Sequence, residues 1–292
     1  MAHCIVPEAE AILDKEFKVL DKGFIRLVDY LGGDDRIVQA ARVSYGEGTK
    51  SYREDAGLID YLLRHEHTSP FEQVVLTFHV KLPIFVARQW IRHRTARLNE
   101  ISGRYSIMKD EFYVPVPADL AEQSADNKQG RSDEPMDADK AANVIERFER
   151  GQKAAYGDYS NLVEEGLARE IARINLPLSL YTEWYWQIDL HNLFRFLMLR
   201  MDAHAQKEIR LYANAILDIT RAVAPRAVES FERNTLSAVR FTGAEMAELK
   251  RRLAGRSAGG DVAGSVAGGE TPLLKGKELE RFEEKLRTGK QL

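Results

Sequence analysis

An alternating run of side chains, followed closely by a proline, most constrains how this chain folds. The run VVLTFHVK at 74–81 places Val74, Leu76, Phe78 and Val80 on one face and Val75, Thr77, His79 and Lys81 on the other. A period of two is typical of a strand with one buried face. The segment therefore predicts a strand that is packed on one side.

The segment after this strand predicts a helix and then a loop. Pro83 suits the first turn of a helix, because its fixed φ is helical and its missing N–H is not needed there. Residues 84–91 fit that helix, and the polar stretch 94–105 is interpreted as a loop. Past a polar insert at 118–138, longer helical patterns dominate.

Helices are predicted over residues 139–165, 181–201 and 203–222, with Asp202 as the N-cap of the last and Pro225 stopping or kinking it. Strands early and helices late indicate an α+β fold. We expect one catalytic domain over 22–254, preceded by an extension at 1–21. It is followed by a Gly-rich flexible tail at 255–292, in which Glu278–Arg287 forms a short solvated helix.

Charge and cysteine content exclude several function classes. The formal net charge is −3, so the whole chain is not a general polyanion binder. Its single cysteine, Cys4, rules out an internal disulfide framework and a cysteine-built zinc site. No run approaches the ~18 apolar residues of a membrane span. The N-terminus has no basic flank, so we expect a cytoplasmic protein.

Basic residues concentrate in one segment, RQWIRHRTARLNEISGRY at 88–105, which holds five arginines and one histidine against one acid, Glu100. Arginine forks match phosphate oxygens and stay charged at any working pH. The segment predicts a pocket for a phosphorylated ligand. Interleaved polar residues such as Gln89 and Asn99 favour a nucleotide. The alternative is a solvated basic face or a salt-bridge network.

The segment HEHTSPFE at 65–72 crowds ionisable residues just before the strand. A zinc protease would need histidine where Ser69 stands, so that interpretation fails. No third ligand is placed near His65 and His67, so these two histidines are only a weak indication of a metal site. Capping or core roles remain open for these residues, and Ser69 before Pro70 can cap a turn.

The segment EWYWQIDLHNLFRFLMLR at 183–200 is apolar on nearly every side, which predicts a buried helix. On such a helix Asp189, Asn192 and Arg200 share one side, and His191 and Arg195 are four residues apart. Buried ionised groups are costly unless they are paired or used. A ligand contact by Arg200 and an internal salt bridge from Asp189 both remain open.

Taken together, these motifs resemble the flavin-dependent thymidylate synthases, the ThyX family. Arg92-His93-Arg94, seven residues and then Ser102 resemble the family's RHR(X)7S signature. HEHTSPFE and the run from ARINLP to HAQKEIR are similar to its flanking segments, over roughly residues 22–235. The chain departs from the family at Arg97, often serine there, and at Asp189, often asparagine.

The resemblance implies reductive methylation of dUMP to dTMP. Methylenetetrahydrofolate would supply the carbon, and FAD reduced by NADPH would supply the hydride. It implies an α+β domain with a twisted antiparallel or mixed sheet flanked by helices. It also implies a homotetramer with shared active sites. We expect no nucleic-acid or membrane partner and no metal.

The resemblance also implies site residues. Those for dUMP are Gln89, Trp90, Ile91, Arg92, Glu100, Ile101, Ser102, Gly103, Arg104, Arg173 and Arg200. Those for FAD are Ser69, Arg92, His93, Arg94, Glu100, Asp189, His191 and Arg195. Arg200 would be catalytic, stabilising charge on the uracil as its N3 loses a proton.

Two other function classes compete with this enzyme. A nucleic-acid-binding module would use the arginines on phosphates, but the net charge of −3 speaks against it. A nucleotide phosphohydrolase would need a carboxylate cluster for Mg²⁺, and the sequence offers no obvious one. Ser102 lacks an evident base to activate it, so we expect it to bind rather than attack.

Overall fold

The structure is a computed structural model that describes residues 5–44, 52–125, 130–254 and 273–289. Cys4 and the Gly-rich stretch 255–269 lie outside the described residues. None of the helices in the described ranges combines the length and apolar character needed to cross a bilayer. The chain divides into two compact units, residues 1–229 and residues 230–292.

The strands are β1 (Glu16–Val19), β2 (Gly23–Leu31), β3 (Val75–Pro83), β4 (Arg97–Glu100), β5 (Ala121–Gln123), β6 (Arg131–Pro135) and β7 (Tyr181–Asp189). The helices of the first unit are α1 (Pro7–Glu10), α2 (Asp34–Ala41), α3 (Tyr52–Arg64), α4 (Ile84–Trp90), α5 (Ala138–Glu164), α6 (Arg169–Ala172), α7 (Leu190–Arg200) and α8 (Lys207–Val223). Helix α9 (Pro225–Phe231) crosses the division, and α10 (Gly243–Ala254) and α11 (Lys277–Thr288) lie in the second unit.

Five strands of the first unit form an antiparallel sheet in the order β1-β2-β3-β7-β4. At its centre, Phe78 pairs with Trp186 and Val80 with Trp184, which places these apolar side chains on one face. The predicted strand is thus confirmed as β3, and the helix predicted after it is confirmed as α4, with Pro83 at the N-cap and not in the first turn. The α+β fold is confirmed.

Aromatic rings join the buried sheet face to α4, α7 and α8. The ring of Trp90 lies 5.1 Å from Trp186, 4.8 Å from Phe196 and 6.0 Å from Tyr212. Each such ring buries roughly 150–250 Å². Gly23 is required at its position, because a Cβ there would lie 2.0 Å from the Tyr212 hydroxyl.

The prediction of one helix over residues 181–201 is wrong in its first half, which is strand β7. Burial alternates along it: Trp184 and Trp186 are 1% exposed, whereas Tyr185 between them is 49% exposed. The period of two was hidden because the aromatic residues on both faces look equally apolar. Only the second half is helical, as α7.

Two smaller predictions are also wrong. The stretch 94–105 is not entirely loop, because β4 within it pairs with β7. Helix α8 begins at Lys207, four residues later than expected. Asp202 caps a turn rather than that helix, since its carboxylate accepts the backbone N–H of His204 at 2.8 Å.

The second unit contains α10 and α11, and it differs from the predicted solvated tail. Phe282 on α11 is fully buried, and Lys285 is 6% exposed and pairs with Glu245 of α10 at 2.8 Å. The boundaries expected at residues 21 and 254 also differ from the observed division. Strand β1 belongs to the sheet, and α10 falls in the same unit as α11.

Candidate active site

The candidate site begins where α4 ends. Trp90, which the resemblance places in the dUMP set, is fully buried in the aromatic core, so within one chain it offers no surface to a ligand. The backbone N–H of Ile91 donates to Ala87, and that of His93 donates to Trp90, each at 3.0 Å. This turn leaves Arg92 exposed, and the side chain of Ile91 is 49% exposed.

Arg200, at the last turn of α7, reaches this turn with two hydrogen bonds. Its Nε donates to His93 Nε2 at 2.9 Å, and its Nη2 donates to the carbonyl oxygen of Gln89 at 3.0 Å. Burial, and then the nearby Arg92, lower the pKa of the guanidinium. An arginine stays cationic in proteins. The negative end of the helix dipole also favours a cation at this position.

His93 is half-buried between charged and aromatic neighbours. Its ring meets that of Phe196 edge to face, at 4.9 Å and 74°. Burial, and then the charges of Arg200 and Arg195, lower its pKa to about 4. The structure thus brings five of the predicted residues into one cluster: Gln89, Arg92, His93, Arg195 and Arg200.

Several arginines around this cluster have no acidic partner. Within the ranges that the structure describes, no hydrogen bond or ion pair involves the side chains of Arg88, Arg92, Arg94, Arg97 and Arg195. The salt-bridge alternative for these arginines therefore finds no support in the described part of the chain. Unpaired guanidinium forks are suited to phosphate oxygens.

A second group of predicted residues lies where the loop after β4 meets α6. A Cβ on Gly103 would lie 3.1 Å from Arg173 Cδ and 3.0 Å from Met108 Sδ, so the loop and Arg173 are in close contact. Arg104 Nε pairs with Glu170 at 3.1 Å. The Ser102 hydroxyl accepts the backbone N–H of Arg104 at 3.3 Å, and no base is bonded to it among the described residues.

Glu100 and Ile101 connect the two groups along the chain. Glu100 Oε1 accepts a hydrogen bond from the buried Thr182 hydroxyl at 2.6 Å, which orients its carboxylate. The backbone N–H of Ile101 donates to Glu183 at 2.9 Å, and its side chain is 40% exposed.

Of the remaining predicted residues, Ser69, Asp189 and His191, the last two lie at the start of α7. Asp189 is the N-cap of α7: it accepts the backbone N–H of Asn192 at 2.9 Å and its side-chain amide at 2.8 Å. No ion pair from Asp189 to an arginine occurs among the described residues. Ser69 is exposed just before the turn at Phe71–Gln73.

Sequence reasoning missed three partners of the predicted residues. Gln206 bonds to the side-chain amide of Gln89, Glu170 pairs with Arg104, and Thr182 orients Glu100. No local pattern marks them, because each meets its partner only through the fold. The described residues also contain no group of three histidine or acidic side chains placed to hold a metal.

Comparison with known proteins gives matches along most of the chain. A model described as thymidylate synthase complementing protein matches residues 26–226. A second, the thymidylate synthase ThyX C-terminal domain, matches residues 239–292. The family likeness therefore includes the C-terminal segment that the sequence motifs left outside it.

Relatives and solved structures agree with these models. A flavin-dependent thymidylate synthase of Treponema denticola is 64% identical, covering 96% of this chain and all of that protein. One from Treponema pallidum is 60% identical, covering all of this chain and 91% of that protein. A crystal structure of the UMP/dUMP methylase PolB from Streptomyces cacaoi, bound with 5-Br dUMP, has a TM-score of 0.68 at 33% identity. It covers 75% of this chain and 98% of that one. The chain belongs to the ThyX family of flavin-dependent thymidylate synthases.

Proposed function

We propose that this chain is a methyltransferase that converts dUMP to dTMP. Methylenetetrahydrofolate is the proposed carbon donor, and FAD reduced by NADPH is the proposed hydride source. The observation that carries the proposal is the anchored guanidinium of Arg200, held by His93 and Gln89 beside Arg92. The relatives' names and the dUMP analogue bound to PolB support the same substrate.

The residues present fit a flavin dinucleotide. Arg92, Arg94 and Arg195 have no carboxylate partner among the described residues, and their forks match the oxygens of a pyrophosphate. His93, Ser69, Asp189, His191 and Glu100 complete the proposed FAD set. When bound, the flavin supplies the hydride that reduces the transferred carbon.

The second group suits the dUMP phosphate and sugar. Arg104 and Arg173 bring positive charge to the loop at Ser102 and Gly103, whose backbone N–H groups can donate to phosphate oxygens. Gln89, Glu100 and the main chain at Ile91 and Ile101 would hold the nucleoside, and the buried Trp90 would support them from the core. Arg92 and Arg200 also belong to the dUMP set, but they lie in the cluster around His93. We therefore propose that each site is completed by more than one chain, in the homotetramer that the family resemblance implies.

Arg200 is the proposed catalytic residue. A guanidinium fixed beside the uracil stabilises negative charge on the ring as N3 loses its proton, without covalent attack by the protein. Ser102 Oγ accepts the N–H of Arg104, which fits a positioning role. The cytoplasmic location and the expected lack of nucleic-acid and membrane partners stay predictions.

The test is a visible spectrum of the purified protein followed by a dTMP assay. We expect flavin absorbance that NADPH bleaches, and dTMP formed only with the folate present. Arg200→Ala should lower kcat by about 10²- to 10³-fold while FAD uptake persists. Arg221→Ala, an exposed arginine on α8 paired with Asp218, is the matched control. A protein that cannot take up FAD, or full activity in Arg200→Ala, would contradict the proposal.

A further inference from the structure

The contact between Arg200 and His93 has a defined direction. A guanidinium carries only donors, so the hydrogen bond at 2.9 Å from Arg200 Nε requires a lone pair on His93 Nε2. An imidazole with a free lone pair on Nε2 is neutral and carries its proton on Nδ1. The arrangement is possible in only one protonation state of the histidine.

The surroundings of His93 favour that state. Its pKa is lowered to about 4, first by burial and then by the positive charges of Arg200 and Arg195, so the ring is neutral at neutral pH. Phe196 holds the ring edge to face at 4.9 Å, and the backbone N–H of His93 is bonded to Trp90 at 3.0 Å. Both the ring and its main chain are therefore restrained before any ligand binds.

Two acceptors then determine how the guanidinium is turned. The Nε–H of Arg200 is used by His93, and one Nη2–H is used by the carbonyl of Gln89. Nη1 and the second Nη2–H remain for a ligand. These two bonds fix the edge that the arginine presents.

From this geometry we infer that His93 is a positioning residue for Arg200, acting through its Nε2 lone pair. The inference rests on the proposed function, because Arg200 must act on the uracil for its orientation to matter. It gives His93 a role separate from the flavin contact that the family resemblance implies. The acceptor atom at Nε2, rather than the size of the ring, is the property that counts.

Three substitutions of His93 distinguish the loss of the hydrogen-bond acceptor from a change in side-chain shape. His93→Gln places an amide oxygen near the position of Nε2, whereas His93→Asn places its polar group near Nδ1. His93→Leu fills similar space without an acceptor. We expect His93→Leu and His93→Asn to lower kcat for dTMP formation about 10- to 100-fold, as for a lost hydrogen bond to a charged group. His93→Gln should restore most of that loss.

Separate measurements distinguish an effect of His93 on Arg200 from an effect on the flavin. FAD uptake is measured by absorbance, and the rate of flavin reduction by NADPH is measured without dUMP. With FAD saturating, kcat for dTMP formation should fall more than the rate of flavin reduction in His93→Leu and His93→Asn, while the KM for dUMP changes little. Equal loss of flavin reduction and dTMP formation would overturn the inference, because His93 would then act through the flavin.

A double-mutant cycle tests the coupling directly. If His93 acts through Arg200, adding His93→Leu to Arg200→Ala should cost no further activity, so the two losses are not additive. Additive losses, or equal activity of the Leu and Gln variants, would overturn the inference while wild-type dTMP formation still supports the proposed function. A wild-type protein that forms no dTMP would instead remove the proposed function itself.

Discussion

The cations of the second unit and those of the candidate site are arranged in opposite ways. In the second unit, Glu248 is fully buried and bonded to Arg251 at 2.7 Å and Arg252 at 3.0 Å. At the site, Arg92 and Arg195 have no acidic partner among the described residues. These pairs neutralise one another within α10, and Arg252 also pairs with Glu283 of α11 at 3.1 Å. Unpaired cations, by contrast, repel one another until an anion binds between them.

Among the substitutions that test this comparison, removal of Glu248 should change the free energy of unfolding most. Glu248→Ala removes one of two carboxylates bonded to the nearly buried guanidinium of Arg252, which keeps Glu283, so the unit should be destabilised by about 1.5–3 kcal/mol. Urea unfolding of the full chain measures it. Glu284→Ala removes an exposed partner of Arg287 and should change stability far less, because solvent screens this pair. Equal effects of the two substitutions would mean that burial does not distinguish these pairs.

Removing a site cation should affect binding and spare stability. Arg92→Ala relieves repulsion with Arg200, so the free energy of unfolding should not fall. FAD or dUMP affinity should weaken about 10- to 100-fold, as expected for a lost charged hydrogen bond. Titration followed by absorbance and calorimetry measures both ligands, with Arg221→Ala as control. A loss of stability with unchanged binding would place Arg92 among the structural cations.

Acid should weaken the second unit through the same carboxylate. The hydrogen bond from Arg251 lowers the pKa of Glu248 from 4.5 to about 2. Because the folded value lies below the ordinary one, the stabilisation is fully present above pH 4.5 and is lost as the pH falls toward 2. Between about pH 5 and pH 3, wild type should lose more unfolding free energy than Glu248→Ala. Equal losses of unfolding free energy in the two proteins would mean that Glu248 does not cause this pH dependence.

The smallest effect is expected at Arg104, the one cation of the site segment that has an acidic partner among the described residues. Its pair with Glu170 is half exposed, so Glu170→Gln should change stability by less than about 1 kcal/mol. The substitution frees Arg104 for phosphate, and dUMP affinity should rise by about two- to fivefold. Asp218→Asn on α8 is the matched control. Weaker dUMP binding would mean that Glu170 aims Arg104 instead of competing for it.

The sequence predicts local features of this fold well and tertiary ones poorly. Strand β3 and the Pro83 helix start follow from alternation and proline geometry, which act within a few residues. Strand β7 was missed because Trp184, Tyr185 and Trp186 are apolar on both faces, so that burial alone reveals the alternation. The charged helix α11 looks solvated in sequence, since its partner Glu245 lies 40 residues away.

The candidate site shows the same contrast between features with a local sequence signal and features that depend on the tertiary fold. The resemblance to a family pattern predicts Arg92, His93 and Arg200 in one site. In the structure Arg200 is hydrogen-bonded to His93, and the charge of Arg92 acts on Arg200. Glu170 and Gln206 carry no local signal, because a carboxylate on a short helix and an amide in a turn are ordinary surface residues. Their partners, Arg104 and Gln89, are 66 and 117 residues away along the chain.

The aromatic core has a consequence for the enzyme's tolerance to change. The ring centroids of Trp90 and Phe196 lie 4.8 Å apart. Trp90 is close in sequence to Gln89 and His93, which hold the guanidinium of Arg200, and Phe196 is one helical turn before Arg200. Trimming either ring would alter the spacing of the two helix ends. Because trimming a fully buried ring also costs about 3–5 kcal/mol, substitutions in this core should lower the melting temperature and misalign Arg200 together.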